Sequence, residues 1–362
     1  MTNNLDLNEP NPNILCRDFP VLVTGGAGFM ASWLVKYLLD DGYKIRVTVR
    51  DMHNEDRYRH LTKIAERSKG SLEIFEADLL DPDAFKGCMT GCNVVFHTAS
   101  PYKITGIKNP QKELIDPSLE GTRNVLEAVN KAHSVKKVIF TSAISAIYGD
   151  ATDIDGLEEE SFNEAHWNKS SNLKYQPLGF AKTVAEREAW RIHDAQSRWK
   201  MATLNPSLCL GPSLTNYSQS GSFDFIRQLA DGTFASGVPD LQHGLVDVRD
   251  VAHAHIFAAQ DEYATGRFLL VNEVMSLLQL AKFLHKKFGE EFDFPRKELS
   301  SRMLYFFGFT KGLSRKYVME NVGKPLKIDN TRSKNELGVY YKPVEEAAEE
   351  MLRFILDYNM LK

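Results

Sequence analysis

The feature that most constrains this chain is a glycine cluster set between two strong patterns. Pro20-Val21-Leu22-Val23-Thr24 is a short apolar run, read as a buried strand. Ala31 to Asp40 carries Leu34, Val35, Leu38 and Leu39 at helical spacing, and Gly42 ends that helix. Between them lies Gly25-Gly26-Ala27-Gly28-Phe29-Met30. Gly25 permits a tight turn, Gly28 lets the backbone come close to a ligand, and Ala31 is small enough for the helix to pack on the strand. Backbone N–H groups and the helix dipole then favour an anion. The unit is expected to hold a diphosphate.

Strands and helices alternate from there. Strands are expected at 44–50, 72–77, 93–97, 135–141 and 201–205, and helices at 55–67, 83–89, 113–133 and 177–197. This alternation predicts an α/β fold, a Rossmann-type doubly wound parallel sheet with right-handed crossovers and a smaller C-terminal substrate lobe. The expected division is a flexible tail over 1–18, a dinucleotide-binding domain over 19–205, and a mainly substrate-binding lobe over 206–362. Some segments of that lobe return to the first domain. Its expected elements are a strand near 266–271 and helices near 223–229, 277–288 and 344–358. Met351, Phe354, Ile355 and Tyr358 form a core-facing stripe on the last of these.

The second strand ends at Arg50. An acidic residue there would grip the ribose hydroxyls of NAD, whereas an arginine suits the 2′-phosphate of NADP. Asp51 beside it keeps NAD as the lesser alternative. Arg57 is either a second charge for that phosphate or part of a solvated helix face. Asp78 and Leu79 follow the third strand and join the cofactor-binding set; the Asp78 carboxylate would accept from an adenine amino group or cap a turn.

TGGAGF (24–29), VTVRD (47–51), VFHTASP (95–101), GTRNVLEA (121–128), AKTVAEREAW (181–190) and NPSLCLGPS (205–213) together resemble the extended short-chain dehydrogenase/reductases of the NAD-dependent epimerase/dehydratase superfamily. The resemblance is to the dihydroflavonol reductase and cinnamoyl-CoA reductase branch, and it runs from about residue 20 to the C-terminus. It implies an NADP(H)-dependent oxidoreductase acting on a ketone or aldehyde (the CH–OH group of the alcohol). It places Thr98, Ala99 and Ser100 beneath the adenine ribose and pyrophosphate, Lys182 at the active-site lysine, and Pro206 to Leu208 beside the nicotinamide amide. It also implies dimers that often use the helices near 113–133 and 177–197, whose apolar residues equally serve the monomer core.

The family's chemistry uses a tyrosine four residues before the lysine and a serine just beyond the fifth strand. Here those positions hold Leu178 and Ala143, and Ala181 stands where a serine commonly precedes the lysine. The substitutions also enlarge and dry the pocket, as would suit a bulky apolar ligand. Tyr148 and Tyr175 are candidate replacement acids or packing residues, and Ser142 and Ser145 flank the changed position. The alternatives to an oxidoreductase with an atypical proton relay are a catalytically impaired NADP-binding sensor or scaffold, and an engineered variant of an active reductase.

The net charge of −4 gives no reason to expect nucleic acid or an anionic membrane as partner. The expected partner is a small carbonyl or alcohol substrate. No run of about 20 apolar residues is present, and residues 1–18 do not read as a signal peptide. Cys16, Cys88, Cys92 and Cys209 are too few for a disulfide scaffold and too isolated for a metal site, so a cytoplasmic location and no metal are expected. His166 and Trp167 fall near the expected substrate entrance, with a surface role for His166. Asp247, Arg249 and Asp250 are expected to cap a helix and pair across the lobes.

Overall fold

The structure is a computed structural model that describes residues 14–101, 106–158, 160–217, 220–308 and 312–361. Six apolar runs form β1 (Val21–Thr24), β2 (Lys44–Val49), β3 (Ser71–Glu76), β4 (Val94–His97), β5 (Lys137–Thr141) and β6 (Lys200–Pro206). Later come β7 (Leu208–Leu210), β8 (Val238–Pro239), β9 (Gln242–Asp247), β10 (Gly266–Leu270), β11 (Glu273–Ser276) and β12 (Glu298–Leu299). The large sheet has seven strands in the order β10-β6-β5-β4-β1-β2-β3, and every pairing in it is parallel. The chain winds outward from β1 to β3, then restarts at β4 on the other side of β1. A ligand crevice opens at such a reversal, beyond the carboxyl ends of the strands.

The helices are α1 (Phe29–Asp40), α2 (Arg59–Ala65), α3 (Lys86–Met89), α4 (Asp116–Lys131), α5 (Pro177–Asp194), α6 (Gly221–Ala230), α7 (Val248–Gln260), α8 (Leu277–Phe288), α9 (Ser301–Phe307), α10 (Arg315–Asn321), α11 (Thr331–Asn335) and α12 (Val344–Asp357). Side chains alternate across each strand. Val21 and Val23 therefore join a core with Leu34 and Val35 of α1 and Ala252 of α7, while Leu22 joins another with Val125 of α4 and Ala189 of α5. The sheet is thus covered on both faces at its centre, which explains why β1 and β4 are nearly continuous apolar runs, whereas the edge strand β3 exposes Ser71, Glu73 and Glu76.

The smaller lobe gathers α6, α8 and α12 around Phe223, Ile226, Leu280, Leu284, Met351 and Ile355. Its β11, β9 and β7 form a three-stranded sheet, and β12 pairs with β8. Tyr358, expected in the apolar stripe, is 51% exposed and leans on Phe354 with ring centroids 4.5 Å apart. The Asp247 carboxylate caps α7 through the Arg249 N–H at 2.7 Å, and Arg249 pairs with Glu350 of α12 at 2.7 Å.

Two expected helices are interrupted. The one over 55–67 splits at Tyr58 into a single 3-10 turn, Glu55–Arg57, and α2. The one over 113–133 begins as a wide turn, Gln111–Ile115, before α4, because Pro117 has no N–H to continue regular bonding. Residues 1–13 of the expected tail lie outside the described residues. Leu15, also expected there, is fully buried, and the Asn93 amide donates to the Ile14 carbonyl. Among the described residues no helix is long and apolar enough to cross a membrane.

Candidate active site

The turn after β1 is shaped by what glycine alone allows. Gly25 has φ +65°, and a Cβ there would meet the Ala99 Cα at 3.0 Å. A Cβ on Gly26 would sit 2.6 Å from Val47 Cγ1, so Gly26 carries the tightest steric demand, although the sequence singles out Gly25 and Gly28. Gly28 precedes α1 and donates its N–H to the Gly25 carbonyl at 3.0 Å. The Gly25 N–H is held by Thr48 Oγ1 at 3.0 Å, and the Ala99 N–H by Thr24 Oγ1 at 3.1 Å. Phe29 and Met30 then open α1, where N–H groups lack helical acceptors. Phe29 meets Phe223 of α6 edge-on at 5.1 Å, which ties the loop to the smaller lobe. The result is a tight backbone turn whose glycines pack against Ala99 and Val47 with no room for a Cβ, leaving main-chain N–H groups at the start of α1 as the donors a diphosphate needs.

Arg50 follows β2 and is exposed, as is Arg57 in the short 3-10 turn. The Asp51 carboxylate accepts the His53 N–H at 2.8 Å. The Asp78 carboxylate accepts the Leu80 N–H at 2.9 Å and so caps its own turn. Leu79 covers Gly121 of α4, where a Cβ would lie 3.1 Å from the Leu79 Cβ. Pro206 ends β6 opposite Leu270, and Leu208 starts β7 against the small-lobe core.

A pocket opens at the carboxyl ends of β4 and β5, bounded by α4 and α5. Leu79, Ala99, Ser100 and Lys182 line it together with His97, Thr122, Thr141 and Ser142. Lys182 Nζ donates to Ser100 Oγ at 3.0 Å, and burial pushes its pKa down from 10.5 to about 8. Burial, helped by the Lys182 charge, lowers the His97 pKa to about 3, so that ring is neutral at pH 7. Its Nδ1 lies 2.9 Å from Thr24 Oγ1.

Beneath the pocket is a buried network that the sequence did not announce. Glu186 of α5, fully buried, pairs with Arg267 of β10 at 2.5 Å. It also accepts from Ser142 Oγ at 2.5 Å and Asn205 Nδ2 at 2.7 Å. The Arg267 guanidinium lies 3.8 Å from the centre of the Trp167 ring and donates to the carbonyls of Glu164 and His166. His166 Nδ1 lies 2.9 Å from Asn163 Oδ1 within its loop.

Ala143 is extended, immediately after Ser142, and its carbonyl accepts from Asn205 Nδ2 at 3.2 Å. Leu178 packs with Leu114, Ile115 and Ala181. Ser145 offers its carbonyl to Asn168 Nδ2 at 2.7 Å. Each candidate phenol has its own partner. Tyr175 donates to Asp150 at 2.6 Å, and burial together with that carboxylate pushes its pKa well above 10. Tyr148 stacks on Phe162 at 4.5 Å, and burial raises its pKa strongly. Asp150 is buried and also accepts from Gln176 and Asn321, both at 2.7 Å. Gln176 precedes α5 in the left-handed region, φ 51°, with Pro177 fixing the first helical position.

The chain is 39% identical over 74% of its length to a cinnamoyl-CoA reductase of Medicago truncatula, 80% of which is covered. It is 36% identical to tetraketide alpha-pyrone reductase 1 of Arabidopsis thaliana over 80% of this chain and 88% of that protein. Gre2 of Candida albicans, solved in complex with NADPH, superposes with a TM-score of 0.75 at 27% identity, covering 94% of this chain and 99% of Gre2. A family model matches residues 21–270, spanning the glycine cradle, the pocket lysine and the last strand of the sheet: the chain belongs to the NAD dependent epimerase/dehydratase family.

Proposed function

We propose that this protein is an NADP(H)-dependent oxidoreductase that interconverts a small ketone or aldehyde and its alcohol, working in the cytoplasm. The observation that carries the reading is the glycine cradle at Gly25–Met30 lying beside a pocket with a half-buried lysine at its wall, whose charge no carboxylate meets among the described residues. The cradle would hold the diphosphate, Arg50 and Arg57 the 2′-phosphate, Asp78 and Leu79 the adenine end, and Thr98 and Ala99 the adenine ribose, with Ser100 turned toward Lys182 instead. Lys182 would hold the nicotinamide ribose, with Pro206 and Leu208 beside the amide. When bound, the reduced nicotinamide supplies a hydride to the carbonyl carbon. The protein then has to exclude water, orient the carbonyl and deliver one proton to its oxygen.

The reductases named above support carbonyl reduction as the reaction class. Ala143 and Leu178 remove an alcohol and a phenol from this wall, so the proton must come from another group. The test is to mix the protein with NADPH and a panel of aromatic and aliphatic carbonyls and follow the loss of NADPH absorbance. Turnover is expected. Micromolar NADPH binding without turnover of any carbonyl would overturn the reading in favour of a cofactor-binding sensor or scaffold. The double substitution Ala143→Ser, Leu178→Tyr is expected to raise kcat by at least about tenfold.

A further inference from the structure

We infer that Ser100 takes over the proton delivery, its hydroxyl acting on the substrate oxygen and being resupplied by Lys182. The inference rests on the reductase reading above. Ser100 and Lys182 line the same pocket, and Lys182 Nζ donates to Ser100 Oγ at 3.0 Å. The Ser100 O–H points to the Pro101 carbonyl at 3.4 Å, a long, weak bond that it can exchange for a better-placed substrate oxygen. Of the other hydroxyls lining the pocket, Ser142 donates to Glu186 at 2.5 Å, Thr122 donates to the Ser118 carbonyl at 2.8 Å, and Thr141 Oγ1 lies 2.8 Å from His255 Nε2. Tyr175 is spent on Asp150, and Tyr148 packs in a separate cluster with Ile147, Phe162 and Leu269 rather than on the pocket lining.

The groups around Lys182 leave it as the proton store. His97, from β4, is neutral at pH 7. Glu186, one turn further along α5, is engaged by Ser142, Asn205 and Arg267. Burial holds the Lys182 pKa at about 8, close enough to neutrality to exchange a proton in either direction.

The step balances as follows. Hydride arrival from a reduced nicotinamide dinucleotide opens the carbonyl and leaves an electron pair on its oxygen. The Ser100 O–H bond breaks as the new substrate O–H bond forms. An N–H bond of the Lys182 ammonium breaks to restore the Ser100 hydroxyl, and the neutral amine takes a proton from solvent. Because the folded-state pKa lies below the ordinary 10.5, the ammonium is lost as pH rises through about 8. Turnover in the reducing direction falls over the same interval.

The experiment compares Ser100→Ala and Ser100→Thr with the unsubstituted protein. In cofactor-free protein, the pH dependence of Lys182 acylation, read by peptide mass spectrometry, is expected to give a midpoint near 8. That midpoint should move down in Ser100→Ala, which loses the acceptor favouring the ammonium, and stay put in Ser100→Thr. NADPH affinity is measured in parallel to establish that each variant folds and binds. In turnover, Ser100→Ala should lose at least about tenfold in kcat, and Ser100→Thr should retain most of it. NADPH turnover that is the same in Ser100→Ala, with an unmoved Lys182 midpoint, overturns the relay and leaves the reductase reading standing. Absence of turnover in the unsubstituted protein overturns both.

Discussion

The glycine turn and the pocket beside it are built on different principles. On the side of β1 the site is main chain: Gly25, Gly26 and Gly28 set the path, and Thr24 and Thr48 hold it by bonds to backbone N–H groups. On the side of β5 and α5 it is side chain: Thr141, Ser142 and Lys182 line the pocket, and Glu186 backs Ser142 from below. A backbone cradle tolerates almost no substitution, since a Cβ has nowhere to go. A side-chain wall can exchange a phenol for a hydrocarbon and keep its fold. A fixed main-chain turn therefore lies beside a changeable side-chain wall.

The sharpest way to break this contrast is to attack the one part of the changeable side that is not changeable. Removing one partner of a buried ion pair strands the other, at a cost of about 3–5 kcal/mol. Glu186→Ala should lower stability by that order in urea unfolding, because Arg267 stays buried without its carboxylate. The double change Glu186→Leu, Arg267→Met should recover much of the loss; if it recovers none, the pair does not act as a unit.

Next in size is the glycine side. Gly25→Val places a branched side chain at φ +65° against Ala99 and should weaken NADPH binding by about 100-fold or more, read by fluorescence titration. Retention of affinity would mean the cradle is not where the diphosphate sits. Arg50→Glu should then turn the NADPH-over-NADH preference down by roughly tenfold or more, since a charge-assisted bond is worth about 1.5–3 kcal/mol. An unchanged ratio would transfer the 2′-phosphate to Arg57.

The smallest effect is the most diagnostic for the wall. Tyr175→Phe removes the bond to Asp150 and should cost about 1 kcal/mol in stability while leaving kcat within about twofold. A large loss of kcat at unchanged NADPH affinity would make Tyr175 the acid and displace Ser100.

What the sequence reveals follows the same division. The central strands read clearly because they are sandwiched between helices and have little room for polar residues, β1 and β4 being buried throughout, while the edge strand β3 reads by its alternation of exposed and half-buried positions. The glycine turn reads clearly because its glycines stand together between a strand and a helix, although the atoms that crowd and hold them, from Val47, Thr48 and Ala99, come later in the chain. The losses at Ala143 and Leu178 could be located because anchored motifs surround them. Glu186 and Arg267 lie 81 residues apart, and no local pattern announces that they meet. The choice between a phosphate-binding and a solvated Arg57, and between proton donors, depends equally on partners distant in sequence. Leu15 escaped notice because one buried side chain among polar neighbours has no periodicity.

The last strand to join the large sheet has a consequence for how the chain comes off the ribosome. β6 finishes at Pro206, but its outer edge pairs with β10, which ends at Leu270. During synthesis the edge of β6 stays open while 64 further residues emerge, the span from 206 to 270. An unpaired strand of mostly apolar composition invites a second strand from any nearby chain. Truncations ending shortly after β6 should therefore aggregate, whereas those that include β10 regain a sealed sheet, and nascent chains of intermediate length are where a holdase would act.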